Sequence, residues 1–379
     1  MERARGGRGG DRGAGGPALS DDGGPRPSPL FVRAARDADR AAWDRFVAAL
    51  PSADPLQAWA WGEVARTGGE RPDRIIATNP DGAIRGVAQV LVRDATAGRR
   101  VLYVPHGPAW DASAPDGDTV LDALIDGLRV RGREERGIVV KVDPRATAAV
   151  PGARLRAALR GRRLRRARAD LQARTTRIVD LRSGAEAVFA GLEKDTRNLV
   201  RRSGREGVRT RVVRDADEAA YAAFARLLAA TGTRANFRVR PLDALRTIAR
   251  GFAPSGDAYL VLADLDDEPI AGCLALATGP RAFYLYAASR RDGPRLKHAN
   301  GAYAALWACI EALAGDGRET LDLWGIVEPG DETADPGWAG FSLFKRGFGG
   351  APLGHPGTFD LVLSPAWYAL RDIRERWRA

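Results

Sequence analysis

From Phe31 onward the hydrophobic positions alternate between helix-like and strand-like runs. Residues 39–50 place Ala42, Trp43, Phe46, Val47 and Leu50 on one helical face. Residues 56–64 predict a second helix, ending near Gly68-Gly69. Strands are expected at 75–78 and 84–92 around the turn Asn79-Pro80-Asp81-Gly82. A short strand at 101–104 runs into Pro105-His106-Gly107-Pro108. A helix at 120–133 and a buried strand at 138–142, closed by Asp143-Pro144, complete the first unit.

The pattern repeats from Thr175. A strand is expected at 177–181, then one helix over 186–203. Its inward residues are Val188, Phe189, Leu192, Leu199 and Val200; Lys194, Arg197, Arg201, Arg202 and Arg205 face outward. A strand at 208–213, helices at 218–231 and 242–252, and a hairpin of 258–265 with 270–278 around Asp266-Asp267 follow. The rest reads as a strand at 281–287, a helix at 299–314, a strand at 320–324, a short helix at 340–347, a strand at 359–363 and a helix at 365–377. Alternation along the 281–287 strand places Tyr284 and Tyr286 on the same face. Each half is helices around a largely antiparallel sheet. The fold class is therefore α/β (α+β), with two mixed, largely antiparallel sheets packed by helices, as in a duplicated acyltransferase-like fold.

Composition narrows the class. At about 150 residues per domain, 379 residues make roughly two domains. The expected division is a disordered Gly/Arg-rich tail over 1–29, a first domain over 30–170 and a second over 171–355. An RGG-like tail binds RNA in some proteins; a solvated leader is the simpler reading. The N-terminus lacks the apolar core of a secretory signal, and no apolar run approaches a membrane span. Two cysteines, Cys273 and Cys309, predict no disulfide framework, and a cytoplasmic location is expected. His106, His298 and His355 lack metal-ligand spacing, so neither a metal nor another cofactor is expected.

The net charge of +11 and pI near 10.3 point to an anionic partner: nucleic acid, a membrane surface or a phosphorylated ligand. Only four of the 59 basic residues are lysine, namely Lys141, Lys194, Lys297 and Lys345. So strong an arginine bias weakens the meaning of any one Arg and sharpens that of a retained Lys. Residues 154–168 hold eight arginines in fifteen positions, with Leu155, Leu159 and Leu164 interleaved. They read either as a helix facing RNA or phosphate, or as the solvated face of a connector.

The stretch richest in chemistry is Leu321-Asp322-Leu323-Trp324-Gly325-Ile326 with Gly340-Phe341-Ser342-Leu343-Phe344-Lys345-Arg346-Gly347-Phe348-Gly349-Gly350. A strand ends at Trp-Gly, a Gly/Pro/Asp loop follows, and a short helix presents Lys345 among aromatics. A lysine in a partly dry aromatic pocket holds a phosphate or stabilises an oxyanion. Tyr284 and Tyr286 offer paired hydroxyls, and Arg234, Arg238 and Arg240 form a possible phosphate clamp. No pyrophosphate loop of the acetyl-CoA type, P-loop or dinucleotide fingerprint is present.

These segments, in order, resemble the Fem family (FemABX), the aminoacyl-tRNA-dependent transferases that build peptidoglycan interpeptide bridges. The resemblance runs from about Trp43 to Trp377. It is carried by Leu56-Gln57-Ala58-Trp59-Ala60-Trp61-Gly62; by Tyr103-Val104-Pro105-His106-Gly107-Pro108, with His106 where Arg is usual; by 172–181; by Arg197-Asn198-Leu199-Val200-Arg201-Arg202; by Tyr284-Leu285-Tyr286-Ala287-Ala288-Ser289; and by the Trp324 and Lys345 segments. It implies two acetyltransferase-like (GNAT-type) domains, with 356–379 returning to the first. It implies Lys345 as the catalytic-site residue, and substrate contacts from Arg66, Tyr103, Arg234, Arg238, Arg240, Tyr284, Tyr286, Trp324 and Phe344. The implied partners are an aminoacyl-tRNA donor and a UDP- or lipid-linked muropeptide acceptor, with peripheral contact at the inner membrane surface.

An acceptor amine attacks an ester that is already activated, so positioning and oxyanion stabilisation are the tasks left to the protein. The basic surface, with Arg162, Arg163, Arg197, Arg201 and Arg202, would meet tRNA or anionic lipid. Two alternatives stand beside this reading: an N-acyltransferase acting on another amine, and a non-catalytic RNA-binding protein on the same fold.

Overall fold

The computed structural model describes residues 29–235, 239–328 and 339–376. Two sheets organise them. The first contains β1 (Phe31–Ala34), β2 (Arg71–Thr78), β3 (Ile84–Asp94), β4 (Arg100–Val104), β5 (Ala109–Trp110), β6 (Gly137–Val142) and β7 (Arg165–Arg166). The second contains β8 (Thr175–Asp180), β9 (Arg209–Val213), β10 (Ala258–Leu265), β11 (Glu268–Thr278), β12 (Arg281–Ser289), β13 (Thr320–Asp322) and β14 (Ala351–Gly354). The last strand, β15 (Phe359–Val362), enters the first sheet between β6 and β7.

The two sheets share a plan. β1-β2-β3-β4 and β9-β10-β11-β12 are antiparallel meanders, and each continues into a parallel neighbour, β6 and β13 respectively. This is the duplicated, mixed and largely antiparallel layout that the hydrophobic pattern predicts. The helices are α1 (Arg40–Ala49), α2 (Trp59–Arg66), α3 (Gly117–Glu134), α4 (Gly152–Gly161), α5 (Gly184–Gly191), α6 (Lys194–Arg205), α7 (Glu218–Ala235), α8 (Leu242–Phe252), α9 (Gly293–Ala299), α10 (Gly301–Gly315), α11 (Ala339–Gly347) and α12 (Pro365–Arg376).

Alternation along β10 and β11 sends opposite side chains to two cores. Tyr259, Val261, Cys273 and Ala275 meet α10, whereas Leu260, Leu262, Leu274 and Leu276 meet α7 and α8. The second of these cores also contains Leu56, Ala58, Ala60, Trp61 and Val64 from α2 and the residues just before it. An element of the first half is thus buried in the apolar layer of the second, while the strands of the first sheet keep separate cores of their own.

Three elements differ from their sequence reading. The single helix over 186–203 breaks at the extended Leu192 and Glu193. Arg197, one turn into α6, donates to the carbonyls of Ala190 and Leu192 and so caps the end of α5. The helix at 299–314 begins only after Asn300, whose φ of 56° separates α9 from α10. The strand at 320–324 ends at Asp322, because Trp324 has φ of 61° and turns the chain. The arginine-rich 154–168 stretch is not a connector: α4 buries Leu155 and Leu159, and β7 pairs with β15. The tail reading for 1–29 falls almost wholly, and residues 329–338 of the loop before α11 fall wholly, outside the described residues.

Candidate active site

The site is built where β13 stops and α11 begins. Ser342 and Lys345, three residues apart, lie on the buried face of α11, and Phe348, one residue past the helix, is buried with them. Each fixes the helix to what lies beneath. The Ser342 hydroxyl accepts from Val327 N at 2.9 Å, and the Lys345 Nζ donates to the Gly325 carbonyl at 2.9 Å. Arg346 adds a bond to the Val327 carbonyl at 2.9 Å. The Lys345 amine lies 3.8 Å from the Phe341 ring centre and 5.8 Å from that of Tyr284.

Lys345 is only 1% exposed, so it is not a surface lysine. Burial drives its ammonium down to about pKa 7, against the opposing pull of the Asp322 carboxylate. The amine therefore exists in both protonation states near neutral pH.

Asp322 leads from this lysine into a buried polar cluster shared by the two halves. One of its oxygens accepts from Trp324 N at 2.7 Å and from the Thr176 hydroxyl. The other meets Arg145, which follows β6 in the first half. Arg145 also lies 3.4 Å from Asp54, whose carboxylate is 2.8 Å from the His106 Nδ1. The guanidinium packs over the rings of Phe283 and Trp324, at 5.5 and 5.9 Å. Trp324 closes the circuit with its ring 4.9 Å from that of His106.

Behind this cluster Asp143 is buried, and desolvation lifts its carboxyl to about 6. It accepts from His106 N at 2.7 Å and the Tyr103 hydroxyl at 3.0 Å. His355 accepts from Ala146 N at 3.3 Å, and its buried Nε2 has no partner among the described residues. Burial, reinforced by Arg145 and His106, keeps that imidazole neutral. Among the described residues, no three His, Cys, Asp or Glu side chains are placed to hold a metal ion.

Residues 190–334 match the family described as Acetyltransferase (GNAT) domain. The lipid II:glycine glycyltransferase of Staphylococcus haemolyticus is 30% identical over 234 residues, covering 60% of this chain and 54% of that protein. The protein of the same name from Staphylococcus saprophyticus is 28% identical over 246 residues, covering 60% and 55%. The chain thus spans about half the length of these curated relatives. The crystal structure of FemX superposes with a TM-score of 0.77 at 20% identity, over 90% of this chain and 99% of that one. The chain is thus similar in sequence to lipid II:glycine glycyltransferases and shares the fold of FemX.

The residues singled out from the sequence do not gather at one point. Tyr284 and Tyr286 do not share a face. A bulge pairs Tyr284 with Ala275 and Tyr286 with Leu274, leaving Leu285 as the extra residue. Tyr284 therefore faces Lys345, and Tyr286 faces the α7 and α8 side. There its hydroxyl is 3.0 Å from the Arg240 Nε, and Arg240 lies over Trp61 at 5.3 Å. Arg234 donates to the Ser289 carbonyl, tying α7 to the end of β12, while Arg238 lies outside the described residues.

Arg66 stands exposed at the end of α2, paired with Glu63. Tyr103 is buried, held by Asp143 and Gln172, and Phe344 packs on Tyr303 and Phe348 rather than on the Lys345 amine. Of the basic surface residues, Arg162 is spent on Asp118, Asp122 and the Ala158 carbonyl, and Arg197 on the end of α5. Arg202 pairs with Glu206, whereas Arg163 is exposed and Arg201 lies over Phe189.

Sequence reasoning missed Arg145 and Asp54 altogether and gave His355 no role. The available signal was positional: Asp143 and Asp322 both sit where a buried strand ends, the place from which polar side chains reach a junction between sheets.

Proposed function

We propose that this chain is an aminoacyltransferase that moves an amino acid from an aminoacyl-tRNA to the stem-peptide amine of a lipid-linked muropeptide. The observation that carries the reading is the buried Lys345 amine, set against aromatic rings at the junction of two acetyltransferase-like sheets. The two glycyltransferases named for lipid II support a lipid-linked acceptor and the transfer of an amino acid. The net charge of +11 suits both a tRNA backbone and an anionic membrane face.

The acceptor amine adds to the ester carbonyl and generates a tetrahedral oxyanion. Protonated Lys345 stabilises that charge in a site from which water is largely excluded. Collapse breaks the bond to the tRNA ribose oxygen, which takes a proton from Lys345. The amine so freed accepts the proton that the new amide nitrogen must lose. An amine titrating near 7 suits both steps. Arg240, with Tyr286, is placed to bind an anionic part of a substrate.

The test is incubation of the protein with lipid-linked and nucleotide-linked muropeptides and a pool of charged tRNAs, read by mass spectrometry of the stem peptide. A gain of one amino-acid residue is expected on the lipid-linked acceptor. No gain on either acceptor sinks the proposal. The GNAT-domain match favours one second reading, acyl transfer to another amine, which the same preparation reports as turnover of acetyl-CoA.

A further inference from the structure

Among the described residues the Lys345 amine has no ion pair; it is held by the Gly325 carbonyl, just past the turn at Trp324 whose N–H donates to Asp322. The Asp322 carboxylate takes Trp324 N at 2.7 Å, and the Thr176 hydroxyl grips both the same carboxylate and, at 3.0 Å, the Trp324 carbonyl. These bonds fix Trp324 at its left-handed φ of 61°. The next residue, Gly325, is thereby turned so that its carbonyl meets the Lys345 Nζ.

Asp322 is itself fixed from the other half of the molecule. Its second oxygen binds Arg145, whose side chain is 7% exposed and which also reaches Asp54. Phe283 and Trp324 cover the guanidinium. Arg145 is thus the only charged side chain, among the described residues, that ion-pairs with Asp322. It comes from the segment after β6, whereas Lys345, Gly325 and Asp322 all belong to the second half.

We propose that Asp322 and Arg145 are positioning residues: Arg145 clamps Asp322 across the junction, and Asp322 sets the Trp324-Gly325 turn that holds the Lys345 amine. The amine is correctly placed only when the two halves are docked. The inference rests on Lys345 being the working amine of the proposed function, but its test needs no substrate.

The charged groups around the amine fix the sign of the effect. Asp322 lies ahead of it with Arg145 behind that carboxylate. Arg346, on the same helix, is turned to the Val327 carbonyl, and Arg177 with Glu328 forms an ion pair at 2.9 Å beside the loop. Tyr284 is neutral, its phenol pushed well up by burial. Removing the Asp322 charge disfavours the ammonium. Removing Arg145 leaves that charge uncompensated and favours it.

The chain has four lysines, so a protein labelled with [13Cε]lysine gives four signals, and Lys345→Met assigns the one of interest. In Asp322→Asn its titration midpoint is expected to fall by about one pH unit. In Arg145→Met it is expected to rise. A midpoint unmoved in either folded variant overturns the proposal. If Asp322→Asn loses its cooperative melt, Thr176→Val carries the test, since it removes one hydroxyl and leaves every charge in place. A smaller fall is expected there, and no change overturns the proposal. Aminoacyl transfer, measured separately on the same variants, reports on the function: shifted midpoints in a protein with no transfer activity would count against the function and leave the positioning intact.

Discussion

Lys345 donates from its buried Nζ to the Gly325 carbonyl, 2.9 Å away, and so joins a short helix to the end of a strand twenty residues earlier. One neutral carbonyl and two aromatic faces do not compensate an ammonium for the loss of water. This is why its pKa falls, and why the residue strains the fold that holds it.

The first prediction is that Lys345→Met is more stable than the parent at pH 6. The folded amine titrates near 7 and the unfolded one near its ordinary 10.5. Between these values the unfolded chain binds more protons, so stability rises with pH. Below 7 the full burial penalty applies, at most ~5 kcal/mol. The missing carbonyl bond and ring packing offset part of it. Urea unfolding at pH 6 and at pH 9.5 should show an advantage of a few kcal/mol for the variant at the lower pH, shrinking at the higher. In the transfer assay the same variant should lose about 100- to 1000-fold in rate.

Asp143 has the opposite linkage. Its folded carboxyl is raised to about 6 from an ordinary 3.8, so the folded state binds more protons in that window. The stability it contributes is present below about pH 4 and is lost as pH rises through 6. Asp143→Asn keeps an acceptor for His106 N and removes the charge. Relative to the parent it should gain about 3 kcal/mol between pH 3.5 and pH 7.5. Parallel stability curves for the two proteins across that range would refute the assignment.

Much of the fold was legible because its elements keep one hydrophobic period throughout. The spans 242–252 and 258–265 read from the sequence coincide with α8 and β10. The failures share a cause, which is that a tertiary partner decides the local conformation. The break between α5 and α6 depends on Arg197 reaching back to two carbonyls, and Gly191 is its only local sign. The Tyr284 and Tyr286 error depends on the bulge opposite Leu274 and Ala275, which no property of β12 alone reveals. Lys345 stood out because lysine is rare in this chain. Arg145 did not, because one arginine in so arginine-rich a sequence carries no signal of its own.

Gly347 gives a prediction about geometry. A Cβ added there would run into the Thr196 hydroxyl, and the Gly347 carbonyl already accepts from Glu193 N at 3.1 Å. The glycine lets α11 lie directly on the junction of α5 and α6. Gly347→Ala must push α11 outward, at a cost of about 1–3 kcal/mol. Because Lys345 rides on the same helix, kcat should fall more than the change in melting temperature alone would suggest. An unchanged kcat in a destabilised variant would separate the helix position from the chemistry.

The Arg240 and Tyr286 pair lies on the opposite face of the second sheet from Tyr284. A role in binding rather than chemistry follows from that separation. Arg240→Ala should raise KM for the acceptor roughly tenfold, in line with a charge-assisted bond of about 1.5–3 kcal/mol, with kcat little changed. Tyr286→Phe should act in the same direction and more weakly, since it only loosens the guanidinium. A kcat loss as large as that of Lys345→Met would place Arg240 in the reaction itself.

The basic surface divides into arginines already committed to the fold and arginines open to a partner. Arg197 belongs to the first group: its loss uncaps α5 and should cost about 1 kcal/mol of stability. Arg163 and Arg201 belong to the second, being exposed and without an ion pair among the described residues. If tRNA is the donor, the logarithm of its binding constant should fall linearly with the logarithm of salt concentration, because each phosphate neutralised releases counterions. Replacing Arg163 and Arg201 together should then flatten that slope by about 0.7–0.9 for each phosphate no longer neutralised, with the melting temperature unchanged. Arg197→Ala should lower the melting temperature and leave the slope nearly as it was. A slope insensitive to Arg163 and Arg201 would move the RNA-facing surface elsewhere on the molecule, and a binding constant independent of salt would remove tRNA as a partner.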